Sequence, residues 1–230
     1  MLHQVGQIWS YRAVLFFSRI FVARPSDWAW LKGLLLTNES IEQTFKNYID
    51  AKCVDIQGQI VECNIEEVDI EKNKDVLPVY MRVSNEKIEG IALPIAGKGL
   101  WSTIFGYIAL NPDTESVLGI QFYKHGETPG LGGEVEKKWF TDNFVNHPQK
   151  QSNGELKYIP KKIRDKNGKI VSITVIKGGV DYSDSNNASI HQVDGISGAT
   201  VTADGVTDFL LEDLLRYEKT LNKIRDYGTI

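Results

Sequence analysis

Between Leu77 and Tyr123 the chain runs through the apolar segments "LPVYMRV", "IEGIALPI", "STIFGYIAL" and "SVLGIQFY", parted by short turn signals such as "SNEK" and "NPDTE". This stretch constrains the fold more than any other. Parallel neighbours need a crossover of a dozen or more residues, so connections this short point to an antiparallel meander. Further on, Val206, Phe209, Leu210, Leu214, Tyr217 and Leu221 recur at helical spacing, which predicts a helix with one buried stripe. The chain is therefore read as α+β, a mostly antiparallel sheet with packed helices.

The remaining segments are assigned by local signals. "NESIEQTFKNYI" reads as a short helix capped by Asn38 or Ser40. The glycine-rich "GETPGLGG" opens an amphipathic segment, "EVEKKWFTDNF". "NHPQKQSNGELKY" reads as a polar loop, and "KKIRDKNGKIVSITVI" as a hairpin turning at Asn167-Gly168. Cys53 and Cys63 flank a tight turn at Gly58, and a three-residue turn centred there sets the two sulfurs on opposing strands. A disulfide and a reduced pair are equally compatible with this spacing. The four histidines are scattered and no zinc-type spacing occurs, so no metal site is read.

At 230 residues, 42% hydrophobic and 24% charged, the chain can bury a sizeable core. A formal net charge of -4 argues against a nucleic-acid partner. The basic runs "EKKW" and "PKKIRDKNGK" are offset by acidic neighbours and read as solvated faces. Residues 1–38 stand apart as an apolar, basic and aromatic extension. Its apolar runs "AVLFFSRIFVA" and "WAWLKGLLL" are broken by Arg12, Arg19, Arg24, Asp27 and Lys32. No window supplies the roughly 20 apolar residues that a bilayer span takes, and no signal-peptide cleavage site follows. The tryptophans and charges suit an interfacial helix as well as a packed extension.

One motif lies directly ahead of the C-terminal helical pattern: "DGISGATVTADGV", from Asp194 to Val206. Helix N-termini present unpaired N–H groups and partial positive charge, which suits phosphate. Gly198 and Ala199 let a bulky group approach. On local grounds alone, a helix cap is the commoner use of Ser197, Thr200 or Thr202. The motif is no Walker loop, because no lysine follows the glycine, and "GISGA" lacks the spacing of a hydrolase elbow. No G-x-G-x-x-G stands between a strand and a helix, so no dinucleotide site is read. No catalytic acid or base is nominated.

Taken in order, "GKGLWSTIFGYIAL", "ETPGLGGE" and "DGISGATVT" resemble the FMN-binding domain family over roughly residues 54–225. Within it, the chain resembles the flavin-carrying subunit of sodium-translocating NADH:quinone reductases. The related G subunit of ion-translocating ferredoxin:NAD oxidoreductases is the alternative, and a non-redox binding or assembly module a second one. The resemblance implies that residues 39–230 form the FMN-binding domain. It further implies that Thr200 carries FMN covalently through a phosphoester, with Ser197, Gly198 and Ala199 completing the motif. Glu127, Thr128, Leu131 and Gly132 would then lie against the flavin, as would Trp101 at the end of "GKGLW". The partners it implies are other subunits of a membrane respiratory complex and a flavin transferase that uses FAD as donor. The location it implies is a bacterial inner-membrane complex, with the soluble domain facing the periplasm. The uninterrupted membrane helix that the family carries ahead of this domain is not evident in residues 1–38.

Overall fold

A computed structural model describes residues 48–65, 67–150, 154–182 and 188–230. The extension at 1–38 lies outside the described residues, as does the helix expected from Asn38 up to residue 47. Ile49, where that helix was expected to end, instead opens a strand.

The body is a six-stranded sheet of β1 (Ile49–Asp55), β2 (Ile60–Val61), β3 (Val76–Ser84), β4 (Lys87–Lys98), β5 (Thr103–Leu110) and β6 (Val117–Lys124). Its order is β2-β1-β3-β4-β5-β6, and every neighbouring pair is antiparallel, as the short turns require. Period-2 alternation sorts the side chains between two faces. Ile104, Ile108 and Leu110 of β5 join the main core, whereas Tyr107 and Ala109 join a smaller cluster on the other face. There Tyr107 stacks on Tyr123 with ring centroids 5.3 Å apart and meets Tyr80 edge-on at 6.2 Å.

Helix α2 (Thr200–Arg216) lies against β4 and is followed by α3 (Glu218–Tyr227). α1 is the single turn Lys138–Thr141. The predicted stripe is buried, but it runs over two helices that meet at Tyr217 rather than one: Val206, Phe209, Leu210, Leu214, Tyr217 and Leu221 are all in the core. Each such side chain contributes roughly 1.5–3 kcal/mol when fully buried. Helix and strand approach so closely that a Cβ on Gly97 would collide with Phe209, and one on Gly205 with the Lys98 carbonyl. Polar ties fix the packing: the Asp213 carboxylate accepts the Ala96 N–H at 2.7 Å, and Tyr217 Oη donates to the Pro78 carbonyl at 2.9 Å.

Several local expectations are corrected. The amphipathic segment "EVEKKWFTDNF" is built of a 3-10 turn (Gly132–Glu136), α1 and a second 3-10 turn (Asp142–Phe144). Its buried residues Val135, Phe140 and Phe144 follow no steady helical period. The supposed polar loop is a hairpin, β7 (Asn146–Lys150) with β8 (Leu156–Pro160). Leu156 and Tyr158 are exposed, so no alternating burial marked it in the sequence. The expected hairpin at Asn167-Gly168 keeps its turn but only one bridge, Arg164 to Ile170. β9 (Thr174–Val175) pairs in parallel with β10 (Gln192–Val193) instead.

The run "PKKIRDKNGK" is not simply a solvated face. Lys161 and Arg164 are buried, because backbone carbonyls reach both cationic heads. Lys161 Nζ donates to the carbonyls of Ser189 and Gln192 and faces the Tyr182 ring at 5.2 Å. Burial lowers its pKa to about 8. Arg164 donates to the carbonyls of Thr114 and Gly168 and to Asn222 Oδ1. Cys53 and Cys63 form a disulfide. The strand register pairs Cys53 with Val61, because the turn is 56–58 rather than 57–59. The bridge therefore runs diagonally to a residue beyond β2.

Candidate functional site

The three quoted motifs, distant in sequence, meet at the N-terminus of α2. The 99–102 loop joins β4 to β5, the 125–133 loop follows β6, and residues 194–199 lead into the helix. What gathers them is one carboxylate. Glu127 is buried, and its Oε1 accepts the N–H groups of Trp101 at 2.9 Å and Ser102 at 3.2 Å. Its Oε2 accepts the Leu100 N–H at 3.2 Å and the Thr202 hydroxyl at 2.6 Å. Ser102 Oγ adds a second link by accepting the Gly126 N–H at 2.6 Å. Burial pushes the Glu127 pKa up, but the bonds from Thr202 and from the Trp101, Ser102 and Leu100 amides outweigh it. The carboxyl is held below the usual glutamate value.

Two glycines leave the space this carboxylate fills. A Cβ on Gly99 would stand 2.7 Å from Glu127 Oε1. One on Gly132 would stand 2.5 Å from Thr202 Oγ1 and 2.8 Å from Glu127 Oε2. The glycines of "GKGLW" and "ETPGLGG" thus make room for the chain's own side chains at these positions.

The helix start itself is uncapped. Ala199 is the N-cap residue, and no side-chain cap hydrogen bond is made there. The capping role weighed for Ser197, Thr200 and Thr202 is therefore not what these residues do. Thr200 is the first residue of the helix and is exposed, as is Ser197, whereas Thr202 turns inward to Glu127. Gly198 adopts φ +74°, and a Cβ there would come within 2.9 Å of Leu131 Cδ2. The Leu131 side chain accordingly lies over Gly198.

Of the residues singled out in the sequence, Trp101, Thr128, Leu131, Ser197, Gly198 and Thr200 are exposed at this site. Glu127, Gly132 and Ala199 are buried beneath it. Sequence reading missed Leu100, Val201 and the inward role of Thr202. Leu100 and Val201 are exposed apolar residues; with Trp101 (69% exposed) and Leu131 they make an apolar rim on the segments that Glu127 ties to the helix start. Thr202 shares the stripe of Val206, Phe209 and Asp213, so helical spacing alone could have identified it as buried.

An exposed hydroxyl beside small residues, at an uncapped N-terminus of a 17-residue helix and within an apolar rim, suits a ligand with a phosphate and a flat apolar ring. The residues present fit FMN in both respects. Among the described residues no helix is long and apolar enough to cross a membrane.

Comparison with known proteins agrees with this geometry. Residues 99–213, which take in all three motifs except Gly97 and Lys98 of the first, match the FMN-binding domain. The chain is 34% identical over 197 residues to the C subunit of the Na(+)-translocating NADH-quinone reductase of Vibrio vulnificus, covering 84% of this chain and 69% of that protein. The corresponding Pseudomonas aeruginosa protein is 37% identical over 141 residues, 61% of this chain and 48% of its own length. The chain thus spans about half of that relative. The crystal structure of the Parabacteroides distasonis counterpart superposes with a TM-score of 0.68 at 26% identity, covering 92% of this chain and 94% of that one. The Shewanella oneidensis NqrC structure, at 22% identity and the same TM-score of 0.68, shares the fold. The chain belongs to the FMN-binding domain family, in the branch that holds the C subunits of the Na(+)-translocating NADH-quinone reductases.

Proposed function

We propose that this chain carries FMN in phosphoester linkage on Thr200 and relays electrons as a subunit of a sodium-translocating NADH:quinone reductase. The observation that carries the reading is the state of Thr200: exposed, free of capping duty, first in α2, and preceded by Gly198 and Ala199. FMN supplies the redox chemistry, while the chain supplies attachment, orientation and surroundings. The backbone N–H groups of the first helical turn would hold the phosphate. Trp101, Leu100, Leu131 and Val201 would face the ring system.

Attachment requires a flavin transferase with FAD as donor: the Thr200 oxygen bonds the FMN phosphorus as the pyrophosphate bond breaks, and AMP leaves while the hydroxyl proton is released. The partners are the other subunits of the complex. The Cys53–Cys63 disulfide supports placing this domain on the oxidising, periplasmic side of the inner membrane. The ferredoxin-linked G subunit and a non-redox module remain the competing readings, and no feature of the site favours either.

Coexpression with a flavin transferase, followed by denaturation and mass spectrometry, tests the proposal. The expected result is a mass increment of FMN less one water, mapped to the peptide containing Thr200. No covalent flavin, or flavin on a peptide lacking Thr200, overturns it. For the orientation, a membrane-impermeant thiol reagent applied to intact cells after mild reduction should label Cys63. Labelling only after lysis overturns the periplasmic assignment.

A further inference from the structure

The Glu127 carboxylate is buried, and it joins the 99–102 loop to the first turn of α2, where Thr200 stands. We propose that Glu127 is a positioning residue for flavin attachment: it holds the 99–102 loop, the 127–133 loop and the first turn of α2 in one register, and so fixes how Thr200 and its apolar rim are presented. This rests on the reading that Thr200 carries FMN.

The argument is geometric. Thr200 and Thr202 occupy the same helical turn, so anchoring the Thr202 hydroxyl on Glu127 turns Thr200 outward. The same two carboxylate oxygens take three consecutive amides, those of Leu100, Trp101 and Ser102. That bond set orients the backbone from which the Leu100 and Trp101 side chains project. Leu131 follows four residues after Glu127 and lies on Gly198. All four donors point at one acceptor group, and an ionised carboxylate accepts from every direction required. A glutamine offers one acceptor oxygen and sets an NH2 against donors, so it cannot reproduce the arrangement.

The test compares attachment kinetics at limiting transferase and excess FAD for the wild-type full chain, Glu127→Gln, Thr202→Val and Thr202→Ser. Leu221→Ala, on α3 away from the site, serves as a control for lost stability. Wild type should acquire flavin on Thr200. Glu127→Gln and Thr202→Val should lose about tenfold or more in kcat/KM for attachment, the usual cost of removing an outer-shell partner. Thr202→Ser, which keeps the hydroxyl, should recover the wild-type rate within about twofold by the same reasoning. On prolonged reaction the increment in Thr202→Val should still map to Thr200, and its visible circular dichroism should differ from wild type as the rim shifts. Leu221→Ala should take flavin at the wild-type rate at a temperature where all the chains are folded. The inference is overturned if Glu127→Gln and Thr202→Val react at the wild-type rate with unchanged dichroism. It is equally overturned if Leu221→Ala is slowed as much, or if Thr202→Ser fails to recover. Absence of flavin on wild-type Thr200 would overturn the parent reading, and this one with it.

Discussion

The Asp213 carboxylate receives the Ala96 N–H at 2.7 Å and Arg216 Nη1 at 2.8 Å, so one buried acid bonds α2 to the end of β4 just before the chain turns into the site. Arg216 carries the tie further, donating to the Asn73 carbonyl at 2.6 Å. The acid sits on the buried stripe between Phe209 and Leu214, where a carboxylate is costly to ionise.

A pH dependence follows with a definite sign. Burial raises the Asp213 pKa from 3.8 to about 6 despite the Ala96 and Arg216 bonds. Between those values the folded chain holds a proton that the unfolded chain has released. Its contribution to stability is therefore full below pH 3.8, falls as pH rises to about 6, and is level above that. The difference amounts to about 2 to 3 kcal/mol. Across this window the pH profile of urea midpoints should carry this declining component in wild type and lose it in Asp213→Asn, which still accepts from Ala96. An unchanged slope in the variant refutes the assignment.

The disulfide should be a local staple rather than a condition of folding. Cys53 and Cys63 are separated by 10 residues, a loop whose closure stabilises by about 3 kcal/mol in the chain-entropy model. The hairpin it closes rests on α3, where Lys223 Nζ donates to the Gly58 carbonyl at 2.7 Å, and not on the Thr200 end of α2. Replacing both cysteines by serine should lower the melting temperature yet leave flavin attachment at its wild-type rate. Loss of attachment would show that the hairpin bears on the site.

Much of this was legible from sequence because the signals were local and repeated. The meander needed only short turns between apolar runs, and the α2 stripe only its 3.6 period. The site was legible differently, as three motifs whose order carried a resemblance. What could not be read was their common anchor. Glu127 and Thr202 are 75 residues apart, and nothing in either's neighbourhood announces the other. Lys161 and Arg164 misled for a related reason: a basic run looks solvated until backbone carbonyls from remote segments are found at both cations. The β7–β8 ribbon escaped because its apolar Leu156 and Tyr158 are exposed while its buried position is the polar His147, although Asn153-Gly154 in "KQSNGEL" was an available turn signal.

Gly132 gives a test that separates the two uses of glycine in this loop. A methyl at Gly132 would intrude on the Thr202–Glu127 bond, whereas Gly130, at φ +75°, has nothing within 4 Å. Gly132→Ala should therefore cost about 1–3 kcal/mol through overpacking and also slow flavin attachment. Gly130→Ala should cost about 1 kcal/mol of backbone strain alone and leave attachment intact. Equal effects in denaturant titrations and attachment assays would mean that the space at Gly132 is not what matters.

Thr200 itself admits the most direct experiment, because its structural and chemical roles separate cleanly. Since no side chain caps α2, and Thr200 is exposed, removing its hydroxyl takes away no hydrogen bond of the fold. Thr200→Val should keep stability within about 0.5 kcal/mol, as surface substitutions usually do; a lost cap would cost ~0.5–2 kcal/mol. The same change deletes the only atom at that position able to bond phosphorus, so the folded variant should show no FMN increment after denaturation. Thr200→Ser preserves that oxygen and should still be flavinated. A Thr200→Val chain that retains covalent flavin would place the linkage elsewhere, and one that fails to fold would show that the helix start depends on this hydroxyl after all.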